Sequence, residues 1–182
     1  MIRPISSAQV HFVNKNYHRI FALAILLLTI AGDQLTKAVA QQKLSPNQPI
    51  MFLNDVIVLI RTQNSGAILS LGANLSDQFR FLLFVVFAGI VLFALLFYTF
   101  TAYDITLIQR VGLAFIGGGG LGNLMDRVAN QGEVVDFIHL DLGFFKTGIF
   151  NLADVAIFLG IFLFLLFNRK HPTPKQLNSP LG

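Results

Sequence analysis

A chain of 182 residues that is 54% hydrophobic and only 12% charged, with a mean hydropathy of +0.68, is too apolar for an ordinary soluble domain and reads as a membrane protein. Its net charge of +4 comes from basic residues scattered singly or in pairs, without a stripe or an aromatic-interleaved patch, so nucleic acid is set aside as a partner. Cysteine is absent, which excludes a disulfide framework, a thiolate metal site and a cysteine nucleophile and leaves any catalysis to other groups.

Four hydrophobic segments follow in chain order, to be judged against the roughly 20 residues that a helix needs to cross about 30 Å of hydrocarbon. The first, residues 17–40, carries Asp33 and Lys37. Its closing "AVA" fits a small-x-small cleavage site, but a cut there discards both charged residues, so the segment is expected to stay. The loop that follows contains "MFLNDVIVLIRTQ", whose β-branched and apolar residues between turn formers predict a short strand or two at the membrane surface. Residues 79–100 form the one uniformly apolar segment. The third, residues 106–124, begins near Arg110 and holds "GGGGLG", which lacks the Lys-Ser/Thr of a phosphate loop. Gly118 and Gly122 in it have the small-xxx-small spacing of close-packed membrane helices. An amphiphilic loop, 126–149, leads to the fourth segment, 150–167, with Asn151 and Asp154 near its start. One domain over residues 1–168 is expected, followed by a disordered tail at 169–182. An even number of spans puts seven basic residues of short segments on the side of the termini, among them Arg3, Lys15, Arg19 and Arg110, which makes both termini cytoplasmic.

Carboxylates within or beside lipid are costly unless they face a protein interior or a wet cavity. Asp126 adjoins Arg127 in "GNLMDR", and a helix-end ion pair between the two is expected. Asp136 in "VVDFI" has no adjacent cation; it is either the solvent-facing acid of a strand or an acid pulled back against the bundle. Asp154 lies one turn after Asn151, either as an interfacial acid at a helix N-terminus or as a functional group. If Asp136 and Asp154 meet, they share a proton and provide one base and one acid, which is aspartic-protease chemistry. A proton relay needs the same kind of intramembrane aspartate. His139 has no second ligand at metal spacing and Asp141 reads as a solvated loop acid. With no tryptophan, Tyr17, Tyr98 and Tyr103 are left to mark the interfaces.

Five blocks in order, "DQLTK" from Asp33, "NSG" from Asn64, "GNLMDR" from Gly122, "VVDF" from Val134 and "FNLAD" from Phe150, resemble the lipoprotein signal peptidase family, the bacterial type II signal peptidases. The resemblance implies an all-α membrane protein with four transmembrane helices and a small extracytoplasmic β-rich cradle between helices one and two. It implies an aspartic endopeptidase that cuts lipid-modified prolipoproteins before the diacylglyceryl cysteine. Asp136 and Asp154 then form the catalytic pair, Asn64, Gly66, Asn123 and Arg127 line the substrate groove, and Asp33, Lys37, Asp126 and Asn151 support the site. No cofactor and no metal are implied; the partners are the substrate and membrane lipids, the protein is a monomer, and the site lies near the outer face of the inner membrane. Residues 67–70, Ala-Ile-Leu-Ser, depart from the family's small-then-aromatic pattern after "NSG". The alternative is a non-enzymatic membrane protein. A proton-linked carrier would show repeated, broken helices, and a precursor-binding relative would have lost one acid.

Overall fold

The computed structural model describes residues 7–66 and 75–167, with side chains from residue 16 onward; the 67–70 departure, the tail and Arg3 lie outside the described residues. The elements are α1 (Ser7–Lys43), β1 (Ile50–Phe52), β2 (Ile57–Asn64), α2 (Asp77–Phe81), α3 (Ala88–Thr101), α4 (Leu107–Ala129), β3 (Val134–Leu140) and α5 (Leu152–Leu166). A π-helical stretch, Leu82–Phe87, joins α2 to α3, so Asp77–Thr101 is one continuous helical span.

The bundle is organised around α4, against which α1, α3 and α5 all pack. The reason is its run of glycines. Lipid tails are as apolar as leucine, so membrane helices associate through close backbone approach rather than through hydrophobic driving force. A Cβ on Gly118 would lie 2.7 Å from the Thr29 Cβ of α1, one on Gly112 would lie 2.8 Å from the Gly160 carbonyl of α5, and one on Gly117 would lie 2.7 Å from Leu96 of α3. The small residues thus serve three faces, not the single seam that Gly118 and Gly122 predict. The helix opens on a capping box, in which Thr106 accepts from Gln109 N–H while the Gln109 side chain accepts from Thr106 N–H.

The span Asp77–Thr101 has the opposite character. Beyond its polar first turn it is apolar on every side, and within α3 only Leu92 and Thr99 are buried, which is how a helix looks when lipid is its solvent. Among the described residues two helical spans are long and apolar enough to cross a membrane, Asn16–Lys43 and Asp77–Thr101. α5, at 15 residues, rises about 22 Å and falls short by length. α4 carries Arg110, Asn123 and Asp126 among its buried residues, so its polar groups are turned inward rather than removed. The expected count of four crossings is therefore only partly visible in apolar length. α1 runs on without a break through residues 38–40 to Lys43, and the buried Asp33 and Lys37 make it part of the folded bundle.

The sheet has the order β1-β2-β3, antiparallel throughout, with Ile50 opposite Leu59, Thr62 opposite Asp136 and Asn64 opposite Val134. Leu53, Asn54 and Asp55, all at positive φ, make the turn between β1 and β2. The cradle expected between helices one and two is thus incomplete without β3, which comes from between α4 and α5. Phe137 of β3 packs on Ala40 of α1 and on Leu44 just beyond its end, and β3 is tied to the start of α5 by Phe150 N–H donating to the Ile138 carbonyl at 2.8 Å. The strand reading of "VVDFI" is right, but its acid does not face solvent.

Substituting Gly119→Ala sets a methyl 2.9 Å from Ile157 Cγ1 and against the Ala153 carbonyl oxygen. It is expected to lower stability by about 1–3 kcal/mol, because backbone rather than a flexible side chain must yield. Gly89→Ala, whose methyl finds Leu124 at 3.8 Å, is expected to be neutral or slightly stabilising. Thermal unfolding of the two variants in detergent checks the contrast.

Candidate active site

The site begins on α1. Asp33 and Lys37 are one helical turn apart, so they share a face, and Lys37 Nζ lies 2.8 Å from Asp33 Oδ2. The same ammonium lies 2.9 Å from Asp126 Oδ2 on α4 and donates to Asn123 Oδ1 at 2.9 Å. Its three protons therefore meet three acceptors, at a position only 3% exposed. Each carboxylate also accepts a backbone N–H from elsewhere in the fold. Asp33 Oδ1 accepts from Ala153 N in the first turn of α5 (2.9 Å), and Asp126 Oδ2 accepts from Val135 N at the start of β3 (3.1 Å). Ala153 precedes Asp154 and Val135 precedes Asp136.

The expected ion pair between Asp126 and Arg127 is not formed. Neighbours in a helix point about 100° apart, so Asp126 turns to Lys37 while Arg127 turns away. Arg127 donates to the Gly66 carbonyl at 2.9 Å and to the Asn123 carbonyl at 3.4 Å, and its guanidinium lies 5.3 Å from the centre of the Phe84 ring.

The two remaining acids converge on one asparagine. Asn151, fully buried, caps α5: its Oδ1 accepts from Asp154 N at 3.0 Å, while Asp154 Oδ2 accepts from Asn151 N at 3.2 Å. Its Nδ2 donates to Asp136 Oδ1 at 2.7 Å and to Asn123 Oδ1 at 3.0 Å. The other oxygen of Asp136 accepts from Asn64 Nδ2 of β2 at 3.0 Å, and the other oxygen of Asp154 accepts from Asn123 Nδ2 at 2.9 Å. Asn64 Oδ1 in turn accepts from Gly66 N–H at 3.0 Å, which holds the turn after β2. Asp136 is 2% exposed, whereas Asp154 is half-buried. Burial pushes the Asp136 carboxyl up to about 6, with the Asp154 charge adding to the rise and the Asn64 hydrogen bond, the Asn151 hydrogen bond and Lys37 opposing it.

All ten residues singled out from the sequence thus fall into one connected polar cluster. Asn123 differs from expectation in its direction: both ends of its amide are engaged by Lys37, Asn151 and Asp154, so it faces the acids rather than an open groove. Two residues were missed. Gln34 Nε2 donates to Asp126 Oδ1 at 3.0 Å and to the Gly122 carbonyl at 3.2 Å; the sign was a second polar residue inside "DQLTK". Phe84, under Arg127, has no sign of its own among so many apolar neighbours. Asp141, expected to be solvated, pairs with Lys146 at 2.7 Å, and that hydrogen bond holds its carboxyl below the usual range.

A family model described as Signal peptidase (SPase) II matches residues 25–168, a stretch that includes every one of these side chains. The chain belongs to that family. As a signal peptidase II it is a peptidase of lipoprotein maturation and a membrane protein. Relatives named lipoprotein signal peptidase include that of Streptococcus pneumoniae, 35% identical over 148 residues (81% of this chain and 92% of the relative). That of Thermosynechococcus vestitus is 38% identical over 148 residues (80% and 88%). A solved structure described as a bacterial membrane enzyme, obtained by the in meso method, superposes with a TM-score of 0.71 at 26% identity, covering 85% of this chain and 94% of its own.

Two consequences of the geometry are measurable. Lys37→Met leaves Asp33 and Asp126 buried without their cation and is expected to cost about 3–5 kcal/mol in detergent unfolding. Asp136 supplies the second. Its carboxyl is at 3.8 when unfolded and about 6 when folded, so between these pH values the folded chain holds the extra proton and stability falls as pH rises. The rise corresponds to about 3 kcal/mol, present below pH 4 and lost above pH 6. Wild type should therefore lose stability relative to Asp136→Asn as pH is raised from 4 to 7, which paired melting curves read directly.

Proposed function

We propose that this signal peptidase II is an intramembrane aspartic endopeptidase that removes the signal peptide from diacylglyceryl-modified prolipoproteins, cutting before the lipidated cysteine. Asp136 and Asp154 are its catalytic pair. The observation that carries the reading is the convergence of two carboxylates, one from β3 and one from α5, on the buried residue Asn151, whose side-chain Nδ2 donates to Asp136 and whose backbone N–H donates to Asp154.

Two acids so linked hold one proton between them more cheaply than none, so the pair presents a base and an acid together. The base takes a proton from water, whose oxygen attacks the scissile carbonyl. The acid protonates the developing oxyanion, and the proton gained by the base then passes to the leaving nitrogen as the C–N bond breaks. The products are a new carboxylate on the signal peptide and a free amine on the cysteine. Asn64 and Asn151 orient Asp136, Asn123 and the Asn151 backbone orient Asp154, and Gly66 with Arg127 borders the groove for the peptide.

In this reading α4 and α5 complete four crossings, their polar residues kept within the bundle. Both termini are cytoplasmic, the sheet lies on the outer face of the inner membrane, and residues 1–168 act as one monomeric unit. The intact pair of acids favours the peptidase over a binding-only relative.

Asp136→Asn and Asp154→Asn are each expected to reduce cleavage of a lipidated precursor, followed by gel shift, by at least about 100-fold while insertion and folding persist. Either variant cutting at the wild-type rate removes that residue from the mechanism. The Asn64→Ala variant deletes a hydrogen bond that favours the ionised Asp136, so the limb of the kcat/KM profile near pH 6 should move to higher pH.

A further inference from the structure

At the end of the bundle away from the aspartates lies a second polar group that peptide cleavage does not use. Arg110, in the first turns of α4, is 3% exposed. Its Nη1 donates to the Thr99 carbonyl and its Nη2 to the Ala102 carbonyl at 2.8 Å, so the guanidinium satisfies the C-terminal carbonyls of α3. Its Nε is buried and has no hydrogen-bond partner among the described residues. Beside it is Arg19 of α1, whose charge acts repulsively on Arg110. Arg19 stacks 5.2 Å from the centre of the Tyr103 ring, one residue beyond the carbonyl that Arg110 holds. The Arg19 Nε is likewise buried without a partner.

Two guanidiniums therefore stand together with two unmet donors, and among the described residues no acid forms an ion pair with either. The ion pairs among the described residues join Lys37 to Asp33 and Asp126, Arg80 to Asp77, and Lys146 to Asp141. Arginine forks match phosphate geometry, and a phosphate oxygen is the acceptor that satisfies adjacent guanidinium donors while cancelling their repulsion. The cluster also sits at the right depth. Thirteen residues of α4 separate Arg110 from Asn123, about 20 Å along the axis, which puts the arginines near the opposite edge of the bilayer from the acids. Under the proposed topology that edge is the cytoplasmic leaflet, where anionic lipids concentrate and basic pockets between helices take their headgroups.

We infer that Arg19 and Arg110, with Tyr103 beneath Arg19, form a phosphate-binding site between α1 and the α3–α4 turn that holds the headgroup of an anionic phospholipid. The lipid closes the seam between α1 and the α3–α4 turn and stabilises the bundle without contributing to cleavage.

The test uses the full chain in detergent, with phosphatidylglycerol, phosphatidylcholine and inorganic phosphate as separate probes. Native mass spectrometry should show wild type retaining one phosphatidylglycerol at least about tenfold more than phosphatidylcholine. Arg19→Gln removes no hydrogen bond among the described residues, so it should fold, keep its peptidase activity and lose that preference. Lys43→Gln, at the far end of α1, should keep it. Millimolar inorganic phosphate that raises the melting temperature of wild type but not of Arg19→Gln, with the two lipids retained equally, supports the phosphate site and overturns its lipid source. Equal retention of both lipids in wild type and Arg19→Gln, with no Arg19-dependent effect of phosphate, overturns the site altogether.

Discussion

The Lys37 ammonium is the interaction on which the rest of the site depends. It stands between Asp33 of α1 and Asp126 of α4, in surroundings from which water is largely excluded, and each of those acids reaches onward to a backbone N–H. One of those N–H groups belongs to the residue before Asp154 and the other to the residue before Asp136. A single buried charge therefore fixes the approach of two chain segments, one helical and one extended, that arrive from different directions. Removing the charge strands two carboxylates and frees both segments at once, so stability and site geometry have a common origin here.

The second tier of organisation is made of amides. Asn64, Asn123 and Asn151 offer donors to the acids, and an amide can neither neutralise a carboxylate nor compete for its proton. The contrast between the two tiers is chemical. Asp33 and Asp126 share the Lys37 ammonium and accept backbone N–H groups, whereas the hydrogen bonds to Asp136 and Asp154 come from neutral amides. Burial lifts Asp136 to about 6, and its amide donors Asn64 and Asn151 oppose that rise without cancelling it. Capping adds a further economy. Asn151 and Asp154 use the bonds that any helix start requires, so the orientation of Asp154 is the same event as the initiation of α5.

Much of this was legible in the sequence because polar residues are conspicuous against lipid-directed segments. Asp33, Lys37, Asn123, Asp126, Asn151 and Asp154 stand out from apolar runs, and the five-block resemblance that named the family holds. What local spacing does not carry is the partner across the fold. Asp126 has a cation next to it in sequence and bonds to one 89 positions away, because side-chain direction on a helix outweighs adjacency. For the same reason the third strand was open between two readings: alternation in "VVDFI" describes a strand without saying whether the second face meets water or other side chains. The glycine run was legible as a packing device, but its service to three neighbours needed the positions of α1, α3 and α5.

That glycine run also divides the chain by its tolerance of change. Wherever backbone lies on backbone, as between Gly112 and Gly160, no side chain remains to be exchanged for another, and the geometry admits almost no substitution. The span Asp77–Thr101, exposed along most of its length, accepts nearly any apolar residue of its kind. Adaptation to a thicker, thinner or stiffer bilayer is thereby channelled onto the outer helix. The interior helix, on which α1, α3 and α5 all pack, stays fixed while the lipid-facing coat drifts.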